Sequence, residues 1–219
     1  MSAQATAIHE IPIRGFSPED VQPPRDSFDQ QEQQYRAAAY SILAALLREV
    51  PTQQTLDQVA QFAQVEIDED EMLLAMSSLG LAVQAIDRAA IDDEYHQLFI
   101  GLGRGELVPY GSWYLTGYLM EQPLSILRDD LVELGFERDE SVTEPEDHIA
   151  ALCEVMSMLI ADESERSTQV RFFDKHLAPW CEKFFTDLEK AESASFYQSV
   201  GRFGSAFVAM DKQYLQMLV

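Results

Sequence analysis

Basic residues are scarce in this 219-residue chain: 15 lysines and arginines face 38 aspartates and glutamates, for a formal net charge of −23. Such a surface repels nucleic-acid phosphates and anionic headgroups, so no nucleic-acid partner is expected and the favoured partner is basic. Cysteine is nearly absent. Cys153 and Cys181 both fall within helical patterns, too few for the disulfide framework of a small secreted protein, and a reducing cytoplasm is the expected compartment. No stretch approaches the roughly 18 consecutive apolar residues that a bilayer span needs, so stable membrane insertion is not expected. The opening MSAQATAIHEIPIRGFSPEDVQPPRD has no twin arginine and no basic stretch leading into an apolar run, so no export signal is read there. With Pro12, Pro18, Pro23 and Pro24, residues 1–26 are expected to form a mobile arm.

Catalytic signatures are missing as well. There is no H-E-x-x-H, no C-x-x-C and no Walker phosphate loop. The run GLGRGE places glycines at 101, 103 and 105 but Glu106 where a dinucleotide fingerprint needs its third glycine, and no strand precedes it. His148 precedes Cys153 by five residues and His176 precedes Cys181 by five, a rotation of about 140° on a helix, so neither pair converges on a metal. No nucleophile elbow or triad emerges from four scattered histidines. An enzyme is not expected, and no cofactor or metal is called for.

What the chain does have is helical periodicity. Tyr35, Ala39, Ile42, Leu43, Leu46 and Leu47 line one face of a helix that ends before Pro51. Further helices are expected over 55–64, through Met72 to Leu81, from Leu124 to Leu134 with Gly135 as C-cap, over 166–176, over 180–191, and through Phe196, Val200, Phe203, Phe207 and Met210. No strand-like alternation of useful length appears. FERDESVTEPED, residues 136–147, is polar, acidic and aperiodic. The expectation is an all-α, bundle-like protein with an N-terminal subdomain over 27–135, a polar hinge over 136–147 and a C-terminal subdomain over 148–219.

Two stretches stand out. TEPEDHIAALCEVMSMLI, residues 143–160, carries one apolar stripe behind Pro145 and an Asp-His pair. Thr143 or Glu144 is expected to cap this helix, Pro145 to sit in its first turn, and Glu146 and Asp147 to complement its dipole. Capping is therefore one role open to Asp147, and ligand binding is the other. IDDEYHQLFIGLGRGELVPYGSWYLTG starts as a short helix and is expected from Gly101 to be a long ordered loop. It crowds Tyr95, Phe99, Tyr110, Trp113, Tyr114 and Tyr118 around Pro109, with carboxylates at Glu94 and Glu106. Rings beside carboxylates suit an apolar peptide carrying arginines, whose guanidinium groups stack and pair there. The same rings are also suited to plain interior packing. A small cofactor-dependent helical enzyme with this loop as its pocket is the competing functional class.

Three motifs together resemble the TorD/DmsD/NarJ family of cytoplasmic chaperones for molybdenum-cofactor redox enzymes. Glu94, Tyr95, Leu98 and Phe99, followed by Pro109, Tyr110, Ser112 and Tyr114, match its E-[YW]-x-x-L-F and P-[YW]-x-S-x-[YW] segments. Glu144, Pro145, Asp147 and His148 match E-P-x-D-H, and His176, Leu177, Pro179 and Trp180 match H-L-x-P-W. The resemblance implies an all-helical fold in two subdomains. It also implies binding of a molybdoenzyme precursor, both its twin-arginine signal peptide and its apoenzyme, until cofactor insertion is complete, with premature export prevented. Molybdenum-cofactor insertion proteins are further implied partners, and a monomer or domain-swapped dimer is the implied assembly. Carried over residue by residue, the implied client-binding set is Tyr95, Leu98, Phe99, Pro109, Tyr110, Ser112, Tyr114, Glu144, Pro145, Asp147 and His148. The identity of the client molybdoenzyme stays open at this stage.

Overall fold

A computed structural model describes residues 25–66, 69–101, 104–137 and 143–217, with side chains from Gln30 onward. Among these residues lie ten α-helices and no strand. They are α1 (Arg25–Arg48), α2 (Gln53–Ala60), α3 (Glu71–Ala85), α4 (Arg88–Tyr95), α5 (Gly111–Thr116), α6 (Gln122–Glu133), α7 (Ile149–Ala161), α8 (Arg166–Phe172), α9 (Cys181–Lys190) and α10 (Phe196–Gln216). The all-α expectation holds. A 3-10 turn, Gln61–Gln64, extends α2, and π turns over His96–Ile100 and Phe173–Leu177 extend α4 and α8. The arm assigned to 1–26 lies outside the described residues except for Arg25 and Asp26, which already belong to α1.

Local chemistry fixes the helix ends. Thr52 Oγ1 accepts from Thr55 N at 3.1 Å ahead of α2, Asp70 Oδ1 from Met72 N and Leu73 N at 2.8 and 3.1 Å ahead of α3, and Asp87 Oδ1 from Ala89 N at 3.1 Å ahead of α4. Each bond satisfies an N–H that has no partner within its helix. At the far end of α6, Gly135 (φ +82°) donates to Val132 O at 3.1 Å and Phe136 to Leu131 O at 2.9 Å, a Schellman motif that turns Phe136 back toward the helix.

The core is one continuous cluster drawn from both sides of residues 136–147. α7 runs through its centre with Ile149, Leu152, Cys153, Met156, Leu159 and Ile160 all buried; α1 packs along α7, and α10 packs on both α9 and α3. At Gly201 a Cβ would lie 2.6 Å from Glu189 N, so only glycine permits the close passage of α10 over α9. One buried polar cluster crosses the helices: the Arg36 guanidinium pairs with Asp211 and donates to Gln33 and Gln169 at 2.8 and 2.9 Å, while Tyr40 OH donates to Asp211 at 2.7 Å. Each charge has a partner, which burial requires. Cys153 and Cys181 are buried free thiols, and burial pushes both up, Cys181 to about 12.

Several expectations need correction. Tyr35 is 66% exposed, because Arg36, tied to Asp211, takes the inward position one residue later; Leu81 and Met210 are exposed as well. The long loop after Gly101 contains a helix, α5. The helix expected from 143 begins at Ile149, with Pro145 in the preceding turn, where its carbonyl accepts from His148 N at 3.2 Å. Among the described residues no single helix is long and apolar enough to cross a membrane.

Candidate functional site

Two segments 35 residues apart are bound to each other before α5 and α7. Gly111 N donates to Asp147 O at 2.9 Å, Ile149 N donates to Pro109 O at 2.9 Å, and Tyr110 and His148 form an isolated antiparallel bridge. Asp147 Oδ2 accepts from Ser112 N at 2.7 Å, so Asp147 serves the start of α5 and not its own helix. His148 is the N-cap of α7, its Nδ1 accepting from Ala150 N at 3.1 Å. That bond requires an unprotonated Nδ1, and burial, assisted by Arg48, lowers the His148 pKa to about 4. The ring is therefore neutral at pH 7. Asp147 and His148 are only 3% and 8% exposed, and the Tyr110 ring meets the His148 ring edge-on at 5.0 Å.

Outside this junction, residues of α6 and α7, with Phe136, Glu137 and the 144–148 segment, border a groove of about 620 Å³. Leu131, Val132, Phe136, Val155 and Met158 supply its apolar surface. Its charged lining is Glu137, Glu144, Glu146 and Glu154 against Arg48 and Arg128. Arg48 pairs with Glu154, and Arg128 with Glu146 at 2.8 Å. Four carboxylates against two guanidinium groups leave the lining acidic. Tyr110 OH donates to Glu144, which, after burial, raises the phenol's pKa and holds this carboxylate at the groove's edge.

A smaller cavity of about 190 Å³ lies behind the junction, lined by Gly111, Leu115, Pro123, Ile126, Leu127, Asp147, Leu152, Lys175, His176 and Trp180. Trp180 Nε1 donates to His176 O at 2.7 Å, and His176 Nε2 meets Asp130 Oδ2 at 2.6 Å. The Asp130 carboxyl resists its burial and is held below its ordinary range by Lys175 and His176. Asp147 Oδ1 and Ser112 Oγ are buried without a hydrogen-bond partner.

The structure thus gathers Pro109, Tyr110, Ser112, Glu144, Pro145, Asp147 and His148 in one place. Of these, Glu144, Pro145 and His148 line the groove. The other candidates lie apart. Leu98 is fully buried and Phe99 packs on Tyr95 and Tyr197. Tyr95 supports the site from behind, donating to Arg48 O at 2.9 Å, with burial raising its pKa to about 12. Tyr114 packs against Trp180 and Phe184 and donates to Asp187 at 3.1 Å. The aromatic crowd is therefore several separate contacts. Its two carboxylates have structural tasks: Glu94 accepts from Ser195, Phe196 and Tyr197 N at 2.7–3.0 Å at the head of α10, and Glu106 from Glu192 and Ser193 N at 2.6 and 3.0 Å. Neither is an arginine seat.

Sequence reasoning missed Arg48, Arg128, Val132, Phe136, Glu154 and Met158. A signal existed for three of them: Val132 and Met158 are apolar residues off the buried stripes of their helices, and Phe136 follows a C-cap glycine. Among the described residues no cluster of three or more His, Cys, Asp or Glu is placed to hold a metal.

Residues 30–186 match the family described as nitrate reductase delta subunit. Chaperone protein TorD of Vibrio atlanticus (strain LGP32) is 27% identical over 205 residues, covering 82% of this chain and 94% of that protein. Chaperone protein TorD of Histophilus somni (strain 129Pt) is 25% identical over 173 residues, covering 78% and 81%. Among solved structures, an Archaeoglobus fulgidus protein assigned as a redox enzyme maturation protein superposes with a TM-score of 0.52 at 20% identity, over 81% of this chain and 93% of that one, a likeness of fold alone.

Proposed function

The chain belongs to the nitrate reductase delta subunit family, and on that premise we propose that it is a cytoplasmic maturation chaperone, a binder and not an enzyme, whose client is a molybdenum-cofactor redox enzyme. The relatives named as TorD chaperones support the class. In this reading the chain holds the client's twin-arginine signal peptide and apoenzyme until the cofactor is inserted, and so delays export. Molybdenum-cofactor insertion proteins are transient partners, and residues 136–147 act as a hinge between 27–135 and 148–219.

The observation that carries the reading is the α6–α7 groove. Its apolar surface suits the hydrophobic run of a signal peptide, and its acidic lining suits the basic end. Glu144 and Glu146 are the side chains assigned to the arginines. Asp147, His148, Pro109, Tyr110, Ser112 and Pro145 shape the groove's end, and Tyr95, Leu98, Phe99 and Tyr114 hold the elements behind it. The test is a titration of the full chain with twin-arginine signal peptides from its own genome, beside the same peptides with both arginines replaced by glutamine. Submillimolar binding that needs the arginines and weakens in Met158→Ser is expected. Equal affinity for both peptide sets would sink the reading.

A further inference from the structure

A second exposed apolar surface lies about 120° around α6 from Val132. The α5–α6 elbow displays Leu115, Tyr118, Leu119, Met120 and Ile126, all exposed, with Tyr118 at 70% and Met120 at 74%. Leu115, Pro123 and Ile126 form the mouth of the cavity of about 190 Å³, so the exposed side chains and the cavity make one surface. The elbow is a defined turn. Gly117 (φ +83°) closes α5 by donating to Trp113 O at 2.8 Å, Thr116 Oγ1 donates to Ser112 O at 2.8 Å, and Tyr118 N donates to Thr116 Oγ1 at 3.2 Å. Met120 has φ +59°, a left-handed conformation that is unfavourable for a side chain other than glycine or asparagine. A strained backbone that holds a methionine out in solvent is a feature that packing alone does not require.

Charge identifies what fits there. Glu121 flanks Met120, and Asp129, Asp130 and Glu133 continue along α6 at three, four and seven residues from Ile126, on the same helix face. Facing them from α8 and its π turn are Arg171, 3.6 Å from Glu133, and Lys175 and His176, both 2.6 Å from Asp130. Glu121 and Asp129 have no ion-pair partner among the described residues. A second copy is a poor occupant: each chain carries −23, and a two-fold contact would set this acidic rim against itself.

We propose that the α5–α6 elbow is a docking surface for an apolar polypeptide segment flanked by lysine or arginine, one of whose side chains enters the cavity behind Leu115 and Ile126. The surface is separate from the α6–α7 groove and does not depend on the reading given to that groove. A partner using both would be held at two points, with avidity beyond either alone.

The test uses the full chain and two labelled synthetic peptides that share a Leu/Ala/Phe core, one with lysines at each end and one with glutamates. The lysine-flanked peptide is expected to bind, and the glutamate-flanked one to bind at least roughly tenfold more weakly. The triple variant Tyr118→Ser, Leu119→Ser, Met120→Ser, made in a Glu144→Gln background so that the groove's carboxylate does not contribute, should weaken the lysine peptide by roughly tenfold or more relative to Glu144→Gln alone. Met120→Gly separates display from folding: it relieves the left-handed backbone, so the melting temperature rises while affinity falls. The proposal is overturned by unchanged affinity in the triple variant, by equal binding of both peptides, by loss of binding in Glu144→Gln alone, or by sedimentation showing a dimer that the triple variant dissolves. Loss of signal-peptide binding in the groove with the elbow result intact would overturn the groove reading only.

Discussion

Glu144 and Asp147 stand three residues apart in one motif and occupy different physical worlds. Asp147 is 3% exposed and its carboxylate holds Ser112 N; Glu144 is exposed, accepts from Tyr110 OH and lines the groove. The same side-chain chemistry therefore does two kinds of work, and burial decides which. The buried carboxylate engages an internal donor, here through one of its two oxygens, and becomes part of the architecture, whereas one at a rim keeps its charge available to a ligand. The junction made by 109–112 and 147–149 is a structural device, and the groove beside it, proposed above as the recognition surface, is what the device shapes.

The comparison breaks first on its buried side. Leu152, on α7 against the small cavity, is fully buried, and Leu152→Ala is expected to cost about 2 to 5 kcal/mol. At this chain length each kcal/mol lowers the melting temperature by about 2 to 4 °C, so calorimetry reads the loss directly. An equal loss in Met158→Ala, on the exposed side of the same helix, would erase the distinction between the two faces.

Acid should act next. The folded His148 has its pKa lowered to about 4 by burial while the unfolded imidazole keeps its ordinary 6.5, so the unfolded chain binds the proton first as pH falls. Stability from this residue is complete above about pH 6.5, declines toward pH 4 and is then exhausted, a loss on the order of 3 kcal/mol. Asp130 and Glu106, whose carboxyls are held low against burial by their hydrogen bonds, add losses only at more acidic pH. Urea unfolding across this range should show the decline, and His148→Asn, which keeps a capping acceptor without a titrating ring, should flatten it.

A smaller effect separates the two carboxylates themselves. Asp147→Ala leaves Ser112 N buried without its acceptor and should cost about 1 to 3 kcal/mol, while Asp147→Asn keeps an acceptor and costs less. Glu144→Gln should stay within about 0.5 kcal/mol of the parent in stability, as exposed substitutions do. Its effect should appear in signal-peptide affinity and in the salt dependence of that affinity, with each exposed pair contributing roughly 0.2 to 1 kcal/mol. Chemical denaturation and peptide titration on the same three proteins check both halves. Identical profiles for Asp147→Asn and Glu144→Gln would end the contrast.

The sequence by itself determined the all-α class, most of the helix positions and the C-cap at Gly135, because each rests on apolar spacing or on a backbone preference within a few residues. It also carried the family motifs. Only the tertiary structure decided that Asp147 serves α5 while His148 opens α7, that Glu94 and Glu106 serve the approach to α10, and that the aromatic crowd divides among separate neighbours. The groove belongs to the second group as well, since Arg48, Arg128 and Glu154 meet there only once α1, α6 and α7 have packed. Helical periodicity records which face of a segment is buried. It holds nothing about which donor, 35 or 103 residues away, a buried carboxylate will meet, and that choice is made by packing.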